Sequence, residues 1–455
     1  MDVGSTYTKG AAVDADSGEL LAIAAHPTTL ATDVLDGLDA VRAELAAAVP
    51  GVRVEEVLLC SSAGGGLRLA VVGYERAITA EAGYRVGLSA GARVVHVAAG
   101  RLDIAAISEL VAAQPDVVLV VGGTDGGDAD VLRHNGDRLS RSRLRCPFVV
   151  AGNADVRDEV AMSFMTRGKQ VIPTANVLPR IGVLDPEPAR STIREVFIRH
   201  VIGGKGLSHR GQQLASLVKA ATPDAVLVGV ELLADGTGEV PGAGDVLVID
   251  IGGATTDVYS VVRPDPEDST FRRDVVEAAW RGRTVEGDLG VRWGAVGVVD
   301  AAVAERLLDP HEEAELRVAA ERREADPGYL ASGADASVDV ALASLAATIA
   351  ARRHARPHVV TGAAGEEVRR GGRDLRQVAL VVGSGGALRH APPKAALAVL
   401  EAVVADVGGG WRVPEHARLV IDTSYVLAPA GLLALAGRPA LGARLLHANL
   451  VDARH

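Results

Sequence analysis

Apolar residues recur along this chain in two rhythms, and each rhythm predicts a different element. Short Val-rich runs bounded by Gly, Asp and Ser predict strands at 9–15, 20–25, 54–60, 93–98, 116–121, 148–151, 245–251, 258–262 and 378–382. The first two are joined by a turn at Asp16-Ser17-Gly18, which makes an antiparallel meander. Between strands the period lengthens: Val34, Leu38, Val41, Leu45 and Val49 fall on one helical face, and Pro50-Gly51 stops it. A helix over 104–113 makes 93–121 a βαβ unit, and another helix begins soon after 122–127. Residues 299–356, rich in Ala, Glu and Arg, read as a mainly helical subdomain set between sheet elements.

Strand ends repeat a chemical pattern. Asp2-Val-Gly-Ser-Thr-Tyr-Thr-Lys9 and Val248-Ile-Asp-Ile-Gly-Gly-Ala-Thr-Thr-Asp257 each place a carboxylate at the end of an apolar strand, then Gly and hydroxyl residues at a bend, then a second apolar run. Glycine lets backbone N–H groups approach an anion, Ser and Thr add donors, and the carboxylate can hold hydrated Mg²⁺. Two such loops can close on one triphosphate from opposite sides. The second begins about half a chain after the first, and a Gly-rich turn follows each, 120 residues after Asp2 and 133 after Asp250. Two similar α/β lobes, 1–243 and 244–455, are the economical explanation, with the cleft between them as the default ligand site.

Composition narrows the class. Aromatics make up 3% of the 455 residues, so Ala, Val and Leu must build the cores, as suits a Val-rich sheet flanked by Ala/Leu helices. A formal charge of −11 excludes a nucleic-acid surface, because binding a phosphate backbone needs concentrated basic charge. Cys60 and Cys146 follow no metal or redox spacing and read as buried free thiols. The chain opens with no signal-like segment, and every long apolar stretch is interrupted, so no membrane partner and a cytoplasmic, soluble protein are expected.

Each candidate site also has a plainer account. Asp2, Gly4, Ser5, Thr6 and Lys9 fit both a phosphate cradle and an ordinary hairpin turn. Asp250, Gly252, Gly253, Thr255, Thr256 and Asp257 flank a Gly-Gly bend directly after a buried strand, a more specific arrangement. There Asp2 and Asp250 would hold Mg²⁺ through water, Thr255 and Thr256 would meet phosphate, and Asp257 or Asp125 would orient an attacking water. Gly383-Ser384-Gly385-Gly386 fits a bend on which a flat base or sugar rests, or close packing of helix on strand. Gly122-Gly123-Thr-Asp125-Gly-Gly127 reads as its counterpart in the first lobe. Glu286 and Asp288 fit either a reach toward the nucleotide or its metal, or a surface turn. His354 and His358 have metal-pair spacing, but Pro357 breaks the helix between them and a solvated loop is expected. Gly203-Gly-Lys-Gly206 lacks the length and hydroxyl of a P-loop.

Taken together, the DxGST segment, the meander, the DIGGxTTD segment and the late GxGG resemble the actin, Hsp70 and sugar-kinase superfamily of ATP-binding proteins, with its ribonuclease H-like duplicated fold. Within it the chain is most similar to the glutamate mutase accessory proteins called MutL or GlmL, which are unrelated to the mismatch-repair MutL. The segments carrying that resemblance are 61–70, 79–82, 122–127, 151–153, 250–260, 284–290 and 383–388. The resemblance implies an actin-like two-lobe fold with a nucleotide cleft and a helical insertion in the second lobe. It also implies ATP and Mg²⁺ as ligands, and a role as an ATP-dependent reactivating or assembly chaperone for adenosylcobalamin-dependent mutase subunits. A small-molecule kinase of the same fold, or an actin-like scaffold, remains the alternative. The first phosphate loop begins at residue 2, so either the chain starts upstream of Met1 or its first strand is shortened.

Overall fold

The structure is a computed structural model that describes residues 1–4, 6–63, 67–74, 82–83, 86–87, 92–181, 183–202, 207–263, 281–329, 333–356, 358–361, 367–370, 373–408 and 410–452. Ser5, 64–66 and 79–81 of the segments singled out above, the discarded 203–206 and the side chain of His358 lie outside them. The chain divides into two compact units, built mainly from Met1–Ala15 with Leu20–Val228 and from Gly229–Arg263 with Trp280–His455.

The first unit opens with β1 (Asp2–Val3), β2 (Tyr7–Val13) and β3 (Leu20–Pro27), an antiparallel meander. The helix Val34–Ala48 follows, its N-terminal amide at Leu35 capped by the Asp33 carboxylate at 2.8 Å. The Oδ2 of Asp33 also accepts from Ser208 Oγ and His209 N, tying a distant segment to the same cap. Strand β4 (Leu59–Ser61) is shorter than the 54–60 run predicts. It pairs with β1 at Asp2 and Val3, Leu58 O accepts from Met1 N, and Val54 is left exposed outside the sheet.

The chain then builds a separate parallel sheet from β5 (Arg68–Gly73), β6 (Arg93–Ala99), β7 (Val117–Val120), β8 (Phe148–Val150) and β9 (Val171–Pro173), in the order β6-β5-β7-β8-β9. With β5 lying between β6 and β7, this is a doubly wound sheet. One face, through Val72, Val118 and Val120, packs on Leu110, Leu132 and Phe164 of three helices. The other, through Val71, Leu119 and Val149, joins the core of Leu35, Leu38 and Leu59. Both faces are buried, which explains why these strands are continuous apolar runs. Strand β10 (Val218–Ala221) returns to pair parallel with β4.

The second unit contains β11 (Val246–Ile251), β12 (Thr256–Val261), β13 (Arg281–Glu286), the hairpin β14 (His358–Thr361) and β15 (Glu367–Arg370), β16 (Leu380–Ser384) and β17 (Arg418–Ile421). The five-stranded sheets of the two units have one plan. The order β3-β2-β1-β4-β10 in the first matches β13-β12-β11-β16-β17 in the second, each with two antiparallel and then two parallel pairings. The duplicated α/β fold expected from the two DxG segments is thus built into strand order. In the second unit the predicted helical region forms Ala295–Ala304, Pro310–Ala325 and Ala336–Ala355. Buried Ala343, Ala346, Ala347 and Ala350 bring the last of these close to the sheet residues Ile249, Ile251 and Val258.

Candidate functional site

In the second unit the bend between β11 and β12 closes with Gly252 N donating to Thr255 O at 2.9 Å. Residues 291–293 brace it from outside: Val291 N donates to Gly252 O at 3.1 Å, and Arg292 N and Trp293 N both donate to Gly253 O at 2.9 Å. A Cβ on Gly253 would sit 2.9 Å from the ring of Trp293, a residue 52% exposed, so a side chain there would have to displace the indole. Thr256 is fully buried and donates its hydroxyl to Leu289 O at 2.6 Å. It therefore serves the interior of the loop rather than a phosphate, a correction to the sequence-based assignment. Thr255 is partly exposed and donates to Asp257 Oδ2 at 3.2 Å.

Parallel pairing of β11 with β16 brings the second Gly-rich turn beside this bend. Asp250 lies opposite Asp257 on one side and Ser384 on the other. Gly385 has φ +95°, and a Cβ there would lie 2.7 Å from Asp250 Oδ1 and 2.3 Å from Ile251 O. The carboxylate of Asp250 thus rests against bare backbone where a side chain would exclude it. Ser384 is buried, Gly383 packs among Leu388, Leu400 and Ile421, and a Cβ on Gly386 would meet open space. The short helix Gly386–Arg389 starts there, which is the strand-to-helix turn the sequence predicts.

Arg283 was not legible as a site residue. From β13 its Nε and Nη2 both donate to Asp257 Oδ1, at 3.0 and 2.6 Å, with the guanidinium over the Tyr259 ring at 5.6 Å. The signal was slight: β13 is an edge strand, and only the burial of Arg283 within it demands an acidic partner. Glu286 and Asp288 instead share Arg353, which donates to Glu286 Oε2 at 2.8 Å and to both Asp288 oxygens at 2.7 and 2.9 Å. Hydrogen bonding to Arg353 holds the Asp288 carboxyl below its ordinary pKa, while burial raises that of Glu286. His354 is no solvated residue. It is buried in the last turn of Ala336–Ala355, between Ser260 Oγ at 2.8 Å and Thr284 Oγ1 at 2.9 Å, because the helix ends over β12 and β13 and needs a polar side chain to satisfy their hydroxyls.

The first unit repeats the bend with different side chains. Gly4 N donates to Tyr7 O at 3.1 Å, while Gly4 O accepts from Thr28 Oγ1 and Thr6 O from Thr28 N, each at 2.9 Å. Thr6 is exposed. Asp2 is only 3% exposed and accepts from Thr222 Oγ1, with the Cys60 thiol 3.6 Å away. Its neighbours across the ladder are Lys9 and Cys60. Burial pushes the Cys60 thiol well above its usual pKa. The other cysteine, Cys146, is partly buried and pushed up to about 11 by burial; both are free thiols.

The Gly122–Gly127 loop is not the counterpart of Gly383–Gly386. It follows β7 in the separate parallel sheet, whereas strand order makes β4 the equivalent of β16, so the equivalent turn starts at Ser61. Gly122 and Gly123, with φ +148° and +70°, shape a loop that holds itself. Asp125 Oδ1 accepts from Ala154 N at 2.9 Å and Asn176 Nδ2 at 2.8 Å, and the buried Asn176 also donates to Gly123 O at 3.0 Å. The carboxylate read as a water-orienting group therefore caps the helix Ala154–Met165.

Among the described residues no group of three or more His, Cys, Asp or Glu could enclose a metal ion. Mg²⁺ needs no such cage. It keeps most of its waters and takes one or two carboxylates plus phosphate oxygens, which the single carboxylate of Asp250 beside two glycine bends can serve. Also among the described residues, no helix is long and apolar enough to cross a membrane.

Comparison with known proteins agrees with the sequence resemblance. The family described as "MutL protein" matches residues 1–450. The curated "Protein MutL" of Clostridium tetanomorphum is 35% identical over 447 residues, which cover 95% of each chain. Among solved structures, the ROK hexokinase of Thermus thermophilus is similar at 15% identity and a TM-score of 0.25, over 98% of this chain and 95% of that one. A ROK family protein of Streptococcus pneumoniae in complex with sucrose gives 10% and 0.27, over 96% of each chain. The PilM-PilN type IV pilus biogenesis complex gives 14% and 0.28, over 98% and 96%. At such scores the fold description rests on the sheets themselves. With the family matched from residue 1 to residue 450 and a curated member 35% identical along nearly its whole length, this chain belongs to the MutL protein family.

Proposed function

We propose that this chain is an actin-like, Mg²⁺-dependent ATPase that serves as a reactivating or assembly chaperone for an adenosylcobalamin-dependent carbon-skeleton mutase of the glutamate mutase type. It is not itself the mutase. The observation that carries the nucleotide part is the placement of Asp250 against Gly385, directly beside the Gly252–Thr255 bend. Backbone amides of that bend would meet terminal phosphates, joined by the Thr255 hydroxyl on turning from Asp257, and Gly385 and Gly386 would leave room for the adenosine. Asp250 would hold Mg²⁺ through water; the ion supplies charge neutralisation for the phosphates. Asp257 would orient the attacking water, which suits a slow switch that needs no strong base. The partner part is supported by family membership over the whole chain.

The chaperone reading predicts that the purified chain, ATP, Mg²⁺ and fresh cofactor restore an inactivated mutase of this class with which it co-purifies, and that Asp250→Ala abolishes recovery. Phosphate release in the absence of any metabolite is expected. Recovery without ATP, or phosphate transfer to a sugar or carboxylate acceptor in place of hydrolysis, would overturn it in favour of a kinase of this fold. Large ATP-dependent assemblies in sedimentation would point instead to a scaffold.

A further inference from the structure

We propose that Arg283 is a positioning residue for Asp257, pinning one carboxylate oxygen so that the other is aimed at the Gly252–Thr255 bend; this rests on the nucleotide reading of that bend. Arg283 is 5% exposed, and two of its nitrogens converge on the same atom, Asp257 Oδ1. With Oδ1 doubly occupied, the carboxylate cannot rotate without breaking two charge-assisted hydrogen bonds. Oδ2 is left on the side of Thr255, the one residue of the bend that donates to it. A carboxylate oxygen accepting a single hydroxyl retains a lone pair for a further donor, and a water is the donor that ATP hydrolysis requires there.

Packing keeps the pair rigid. The guanidinium lies over the Tyr259 ring, on the strand that carries Asp257, and Tyr259 is itself buried. A buried ion pair is a poor device for stability alone, since well-packed apolar side chains of similar volume do as well or better. At this position it does something an apolar pair cannot, because it sets the direction of a carboxylate that borders the bend. The arrangement also makes Asp257 an orienting acceptor with a fixed lone pair, and Arg283 acts on the reaction only through it.

A double-mutant cycle on the full-length chain tests the assignment, with ATP hydrolysis and ATP affinity measured separately. Arg283→Gln and Asp257→Asn are each expected to lower kcat by about tenfold or more, with the ATP Kd kept within about twofold. Arg283→Lys should recover part of the loss, and the double variant should be no slower than the slower single variant. Losses that multiply in the double variant would overturn the proposal, as would an Arg283→Gln chain with wild-type kcat or one whose loss lies entirely in Kd. Should Arg283→Gln fail to fold, Arg283→Lys and its double with Asp257→Asn complete the same cycle. Absence of ATP turnover in the wild-type chain would sink the ATPase reading along with this one. Wild-type turnover with multiplicative losses would sink only the role of Arg283.

Discussion

The bends after β1 and β11 have one backbone and two chemistries. Both start from an Asp at a strand end, both close with a Gly N–H on the carbonyl three residues on, and both sit at the same place in a sheet of the same order. Their flanks differ. Asp2 lies between Lys9 and Cys60 and receives the Thr222 hydroxyl, so it is enclosed. Asp250 lies between Asp257 and Ser384, against glycine backbone. Strand order therefore reproduces a loop geometry, while the residues one strand to either side decide what its carboxylate meets. A motif repeated in sequence need not be a function repeated in space.

The sharpest way to break this contrast is to remove each carboxylate. Asp250→Ala is expected to abolish ATP-dependent turnover with a thermal midpoint near wild type. Asp2→Ala should instead lower stability by about 1–3 kcal/mol, because Thr222 loses a buried acceptor; equal unfolding midpoints for the two variants would contradict the difference. Next in size is Gly385→Ala. Its Cβ meets Ile251 O at 2.3 Å in a left-handed backbone, so a loss of about 1–3 kcal/mol and of ATP binding is expected, whereas Gly386→Ala, facing open space, should bind ATP nearly as wild type. Isothermal titration of both variants distinguishes them.

Thr256→Val removes the donor to Leu289 O and is expected to cost about 1–3 kcal/mol in denaturant unfolding. Its equivalent Thr8→Val should cost less, since Thr28 keeps its bond to Gly4 O. The smallest effect belongs to a helix cap outside either bend. Asp33→Ala should lose about 1 kcal/mol at neutral pH. Burial opposes ionisation of Asp33, but the Leu35 amide, the Ser208 hydroxyl and the His209 amide together hold its pKa below the ordinary value. A depressed carboxyl stabilises above its unfolded pKa and loses that contribution as pH falls through the folded one. The gap between wild type and variant should therefore narrow below about pH 4, which urea titrations across pH would reveal.

Much of the fold was legible. The helix Val34–Ala48 follows its apolar stripe, and the strands around Asp250 and Gly383 appear where Val-rich runs meet glycine. What failed did so for want of a partner. The apolar run before Leu59 stays outside the sheet, and β5, second from the edge of the parallel sheet, was missed because a six-residue run carries no period that separates it from a helix. Within the candidate site, Asp250, Gly252, Gly253 and Gly385 were visible as a motif. Arg283 and His354 were not recognised, since each owes its role to a side chain on another element.

Local pattern was enough to determine that this chain makes two α/β halves, each with an acidic glycine bend, because periodicity, turn residues and strand-end carboxylates act over a few neighbouring residues. Which Gly-rich turn belongs beside which bend was decided only by strand pairing. Gly383–Gly386 is carried next to Asp250 by β16, while Gly122–Gly127 is taken into another sheet by β7. Hydrogen bonding between strands that lie tens to more than a hundred residues apart depends on how whole layers pack, and no short stretch of sequence encodes that choice.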